Sequence, residues 1–204
     1  GLRVFFAYWI SHPGKKLLFM GGEYGQFIEW KYDDSLDWHL LDYPMHKAMH
    51  EYVRALNAYY VKHQEFWQED CDWSGFKWIS CDDNENSVIS FYRQGKEKDD
   101  QTIVICNFTP AVHHGYRIGI PAKGTYKEVF NSDATEFGGS NVLNTEPIKT
   151  SDIPCHGMDQ SIELTLPPLG AIYLQKQVVK KESTTLGNII KKALPKKSAN
   201  KKRN

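Results

Sequence analysis

The 204 residues are 41% hydrophobic with no net charge, enough apolar material for one medium domain or a domain with an appendage. The neutrality is uneven: residues 176–204 hold ten Lys or Arg against one acid, a net of +9, and the rest of the chain is net −9. An acidic body argues against nucleic acid as the main partner, and four scattered cysteines without a C-x-x-C pair signal neither a zinc site nor a disulfide framework.

The chain opens on Gly1 rather than Met, with an apolar run following at once, and reads as a fragment or a processed product. Residues 2–11 are apolar and aromatic and end at His12-Pro13-Gly14, a helix stop followed by a turn. This run is far too short to cross a bilayer, and no membrane partner is expected. Leu17–Met20 is a continuous apolar run, the pattern of a parallel strand buried on both faces. Gly21-Gly22 then releases the chain into a loop lasting to about Tyr43. Helix, turn, buried strand and polar loop together predict one αβ step of a parallel barrel.

In that frame Glu23 stands just past the carboxyl end of the strand, where barrel active sites gather. Asp33, Asp34 and Asp37 follow in the same loop. Two carboxylates across a sugar bond are the minimum for glycoside chemistry. Asp37, inside SLDWHLL, looks pinned between apolar neighbours, and the spacing favours structural or substrate-orienting roles over a catalytic dyad.

From Pro44 to about Phe66 the residues Met45, Met49, Tyr52, Val53, Leu56, Tyr59, Tyr60 and His63 fall at helical spacing, with Pro44 suited to the first turn. His46 and His50 share a face, but HKAMH lacks the Glu of a zinc protease, and no metal or cofactor is indicated. Near residue 70 the rhythm becomes all-β. The loop CDWSGFKWISCDD, residues 71–83, gathers Trp73, Phe76 and Trp78. An exposed Trp78 would offer a stacking platform for a sugar ring, and a buried one would fill the join between two units. Residues 87–94, 102–108, 116–120, 125–130, 161–166 and 171–175 read as short strands, with GKEKDD as a hairpin loop. Strands at this spacing describe an antiparallel sandwich or barrel.

Three units follow: residues 1–69 as the end of a barrel, 70–175 as an all-β domain, and 176–204 as a basic tail. The tail reads as solvated and disordered. Within it, Leu186, Ile189, Ile190, Ala193 and Leu194 could line one face of an amphipathic helix behind Thr184 or Thr185, suited to a partner or a membrane surface. The lone thiols fit a reducing, cytoplasmic setting.

KKLLFMGGEYGQFIEW, SLDWHLL, CNFTP, NSDATEFGGSN and LTLPPLGAIYL occur in that order. In this respect the chain resembles the glycogen branching enzymes, the 1,4-α-glucan branching enzymes of the α-amylase superfamily, from about Leu2 to Gln175. The resemblance implies an α+β fold class, with the last strand/helix unit of a (β/α)8 TIM barrel followed by an all-β C-terminal sandwich. It also implies a retaining double displacement, in which an α-1,4-glucan segment passes through a covalent glycosyl-enzyme to a 6-hydroxyl in glycogen biosynthesis. The family's nucleophile, acid and His-Asp pair lie on earlier strands, and no His-Asp pair is present here. The resemblance therefore implies no catalytic residue in this chain, with Glu23 a rim residue acting through supporting hydrogen bonds. Glu23, Trp30, Asp42 and Trp78 are the expected substrate-binding residues, and the expected partners are an α-glucan and the upstream barrel of the same enzyme. A lone αβ step cannot bury both sides of its strand, so residues 1–43 are expected to be poorly ordered or sticky. Isoamylase-type debranching relatives share the glycine-Glu turn but carry a longer loop after it, which ranks branching first. A non-catalytic glucan-binding module is the reading from a different class.

Overall fold

The computed structural model describes residues 1–177; the tail pattern from Thr184 to Leu194 lies outside them. Two α-helices and eight strands organise the described residues: α1 (Leu2–Ser11), α2 (Pro44–Lys62), β1 (Phe76–Asp83), β2 (Val88–Gln94), β3 (Gln101–Asn107), β4 (His113–Ile120), β5 (Thr125–Asn131), β6 (Ile148–Lys149), β7 (Gln160–Leu166) and β8 (Gly170–Lys176). A six-stranded sheet has the order β1-β2-β3-β8-β5-β6, and β4 pairs with β7 in a second sheet; every pairing is antiparallel.

The helices, the large sheet and the small sheet form three layers. On β3, Ile103 and Ile105 point toward the small sheet, where they meet Ile118, Ile120, Ile162 and Leu164. Val104 and Cys106 point the other way, into a cluster with Val4, Phe6, Ala7 and Ile10 of α1 and Tyr52, Val53 and Leu56 of α2. A strand covered on both faces has no polar side, which is why TIVIC reads as continuous apolar sequence. Burying each of the Val, Leu, Ile and Phe side chains among these contributes about 1.5–3 kcal/mol. β8 alternates in the same way, with Ile172 and Leu174 facing one cluster and Ala171 and Tyr173 the other.

The antiparallel all-β unit is as expected from the strand spacing. The barrel step is not seen: Leu17–Met20 is not a strand among the described residues, and Leu17 is 83% exposed. A strand needs a hydrogen-bonded neighbour, and inside a closed barrel one on each edge, and none of the described strands pairs with this run. Residues 71–83 also differ from the loop reading, because 76–83 form β1. Their polar residues sit on an edge strand whose pairing with β2 shifts register between Trp78 and Ser80 and again before Asp83. Helix α2 ends at Lys62, and a separate 3-10 turn spans Gln64–Phe66. Met45, placed on its apolar face by spacing, is largely exposed.

Helix α1 is docked rather than loose. Pro13 forces its predecessor out of helical geometry, and His12 is extended at φ −71, ψ 148. The helix is then held at three points. Arg3 donates to the carbonyls of Phe137 and Gly138. The Tyr173 hydroxyl donates to the Ala7 carbonyl at 2.7 Å, and Arg93 donates to the Ser11 carbonyl at 2.9 Å.

Candidate functional site

The rim segment, residues 21–43, is a loop tied to itself. Gly21 and Gly25, at φ 76 and 70, bracket a 3-10 turn over Gly22–Tyr24. A Cβ on Gly21 would stand 2.8 Å from the Gln26 side chain, so glycine is required there twice over. The Tyr24 ring is fully buried and its hydroxyl donates to Gln26 Oε1 at 2.8 Å. The same oxygen accepts the Asp37 N–H at 2.9 Å, and His46 of α2 hydrogen-bonds the Tyr24 carbonyl at 2.8 Å. Lys31 bridges Asp37 at 3.1 Å and Asp34 at 3.5 Å, and the Asp37 hydrogen bond holds its ammonium above the ordinary lysine range. Asp37 is thus pinned by polar contacts rather than by apolar neighbours.

The four candidate residues fall into separate places. Glu23 sits half-buried on the 3-10 turn and has no hydrogen-bonding partner among the described residues, so the supporting bonds expected of it are not made here. Trp30 is 68% exposed with φ 57, and its ring stacks on Phe19 at 5.0 Å. Asp42 is exposed at the end of the 3-10 turn over Trp38–Asp42 that leads into α2. Trp78 is on β1, in edge contact with Phe76 at 5.0 Å and Phe91 at 5.5 Å, and 6.0 Å from His12. It is 41% exposed, and Trp73 nearby is 86% exposed. Glu23, Trp30 and Asp42 share the rim segment, and Trp78 belongs to the sheet edge under α1.

Sequence reasoning missed two buried polar clusters. Arg93 is fully buried, giving Nε to the Gly75 carbonyl at 3.0 Å, one terminal nitrogen to Ser11 and the other to Asp70 Oδ1 at 2.9 Å. The signal was available: in SVISFYRQ, Arg93 falls on the same face as Ile89 and Phe91, an ion on an apolar side. Near it, burial pushes the Lys16 ammonium down to about 8; Lys16 donates to the His12 carbonyl and lies 5.6 Å from the centre of the Tyr60 ring. In the second cluster, buried Glu65 accepts from Thr102 and Gln175 and contacts His63. Burial alone would raise its pKa, but hydrogen bonds from His63 and Thr102 outweigh it and hold the carboxyl below the usual range.

Two of the sequence blocks behind the resemblance prove architectural. Asn107 of CNFTP donates to the carbonyls of Ala111 and Pro167, each at 2.8 Å, and accepts from Thr109. Asp133 of NSDATEFGGSN is buried and accepts from Ser140 and Val142, closing that loop on itself. No group of three or more His, Cys, Asp or Glu positioned to hold a metal occurs among the described residues, and none of their helices is long and apolar enough to cross a membrane. The rim and the sheet edge thus present exposed aromatic faces at Trp30 and Trp78, with the exposed carboxylates of Asp34 and Asp42 on the rim.

Residues 78–177 match the family model of the α-amylase C-terminal all-β domain. The chain is 52% identical over 174 residues to a 1,4-alpha-glucan branching enzyme GlgB of Halothermothrix orenii, covering 85% of this chain and 28% of that protein. It is 45% identical over 182 residues to the GlgB of Bacillus anthracis, covering 89% and 28%. The resemblance carried by the five sequence blocks is borne out, and the chain spans about 28% of the length of these relatives. Among solved structures, an α-amylase from H. orenii superposes with TM-score 0.54 at 15% identity, covering 86% of this chain and 35% of that one. Ttha1563 from Thermus thermophilus gives 0.56 at 15%, covering 86% and 31%. At that identity the likeness concerns the fold alone.

Proposed function

We propose that this chain, which matches the α-amylase C-terminal all-β domain over residues 78–177 and is similar to branching enzymes over most of its length, is the C-terminal portion of a 1,4-α-glucan branching enzyme. Residues 1–69 then close the catalytic (β/α)8 barrel, and 70–175 form the sandwich that braces it. The single observation carrying this reading is 52% identity across 174 residues that include both parts. In the whole enzyme Leu17–Met20 becomes the eighth strand, paired on both edges by strands from upstream. The carboxylates that break the α-1,4 bond and form the α-1,6 bond come from those upstream strands, and this chain contributes the far rim. Glu23 and Asp42 hydrogen-bond sugar hydroxyls there, and Trp30 lies against a glucose face. The free thiols of Cys71, Cys81, Cys106 and Cys155 support a reducing, cytoplasmic setting for glycogen biosynthesis.

The test is a chimera in which this chain replaces the corresponding segment of the H. orenii enzyme. It should form α-1,6 linkages in amylose and lower the iodine stain, while the isolated chain leaves the stain unchanged. A chimera that folds by circular dichroism yet forms no branches overturns the reading, as does stain loss caused by the isolated chain.

The exposure of Trp73 and Trp78 favours a second reading, a glucan-binding module. Stacking on one ring contributes about 1–2 kcal/mol and gives roughly millimolar binding. Retarded migration in an amylopectin gel, relieved by Trp78→Ala, supports it; mobility unchanged in both proteins counts against it.

A further inference from the structure

The turn after α1 places Lys16 in surroundings that Lys31, Lys96 and Lys123 do not share. Each of those three forms an ion pair with a carboxylate. Lys16 forms none among the described residues. Its side chain is half-buried, its nitrogen donates to the His12 carbonyl, and it lies 5.6 Å from the centre of the Tyr60 ring on α2. The carboxylate that acts on it is Asp70, and both Asp70 oxygens are already committed. Oδ1 accepts from Arg93 at 2.9 Å and Oδ2 from the Gly14 N–H at 3.1 Å. The fully buried Arg93 guanidinium adds a like charge from the side of β2.

A cation so placed gives up hydration without gaining a partner, and the neutral amine is favoured. Burial accordingly brings the Lys16 pKa down to about 8, with Arg93 assisting and Asp70 opposing. A neutral amine carries a free electron pair and is a nucleophile, which an ammonium is not.

We propose that Lys16 is a modification site that takes an acyl group directly from small acyl phosphates. The neutral Nζ attacks the acyl carbon, the bond from that carbon to the phosphate oxygen breaks, and phosphate leaves with the bonding pair. The nitrogen then releases one proton to water. The product is an uncharged secondary amide. It keeps one N–H, enough to go on donating to the His12 carbonyl, and it no longer repels Arg93. The site is built from the turn after α1, α2 and β2, and it stands whether or not the chain is part of a branching enzyme.

Acetyl phosphate added to the full chain at about pH 7.5, read by peptide mass spectrometry at low conversion, tests it. At that pH about a quarter of an amine titrating at about 8 is neutral, against roughly one in a thousand for an ordinary lysine. Its lower basicity takes back about tenfold of that advantage, by the slope that thiolate nucleophiles follow. Lys16 should therefore be acetylated roughly tenfold faster than the exposed Lys15 beside it, and in denaturing urea the two should react alike. Equal rates in the folded chain overturn the proposal. A slower Lys16 overturns it too, by showing the amine closed to the reagent. A preference that survives in urea also overturns it, because it then arises from the local sequence and not from Tyr60, Asp70 and Arg93.

Discussion

Lys16 shows how one side chain can record its surroundings. Burial lowers its pKa from 10.5 to about 8, opposed by Asp70 and assisted by Arg93. The unfolded chain therefore binds this proton more tightly than the folded one between those two values. The residue's contribution to stability is unfavourable below pH 8 and improves as pH rises through that window. Lys16→Met is expected to raise the urea midpoint at pH 7, by a gain of about 1 kcal/mol or less after solvent screening. At pH 11, where Lys16 is mostly neutral in both states, the gain should largely vanish; an equal gain at both pH values would refute the electrostatic account. Nothing in KKLLF distinguishes Lys16 from Lys15, because the distinction is made by Tyr60, Asp70 and Arg93, far away in sequence. Asn107 and Asp133 are the opposite case. Their motifs are conspicuous as sequence, yet what they do is satisfy backbone groups in two turns.

At the scale of elements, the joint between α1 and the large sheet depends on Arg93. Arg93→Ala removes donors from the carbonyls of Gly75 and Ser11 and leaves Asp70 without its cation. Breaking a buried pair from one side costs about 3–5 kcal/mol. The expected result is a large fall in the urea midpoint, with faster amide exchange concentrated in α1. A change under 1 kcal/mol would mean that α1 is held by its apolar face alone. Six of the eight strands were legible because their alternation or continuous apolar character follows from the layers on each side, whereas the two-residue β6 is too short to leave a pattern. Helix α2 was legible from Met49, Tyr52, Val53 and Leu56, which are its buried stripe. β1 was not, because an edge strand with a broken register tolerates the polar residues Lys77, Asp82 and Asp83, which read as loop. Leu17–Met20 failed in the reverse sense: its apolar run fits a central strand, and the described chain supplies no neighbour for it.

At the scale of the whole molecule, the layers are closed on one side and open at the rim. Leu17, Phe27, Trp30 and Tyr32 are each more than two-thirds exposed within one segment. Clustered apolar exposure of this kind marks a contact surface, in keeping with a proposed upstream barrel. The isolated chain should therefore self-associate with rising concentration in sedimentation velocity. A Leu17→Ser, Phe27→Ser variant should remain monomeric with the same circular dichroism spectrum. Monomeric behaviour of the parent chain across the whole range would show that the rim needs no cover.

Periodicity is local, so six of the strands in the antiparallel unit, the α2 stripe and the glycine turn at Gly21 could be read in the sequence by itself, from residues a few positions apart. Its five blocks also pointed to the relatives. Only the tertiary structure decided that α1 and α2 pack on the same sheet as β4 and β7, on its other face. It also decided that Arg93 is a buried joint, that Trp78 is divided between a core edge and solvent, and that Glu23 has no hydrogen-bonding partner among the described residues. Those outcomes depend on which distant groups arrive beside a side chain, and burial and hydrogen-bond satisfaction are set by that arrival rather than by neighbours along the chain.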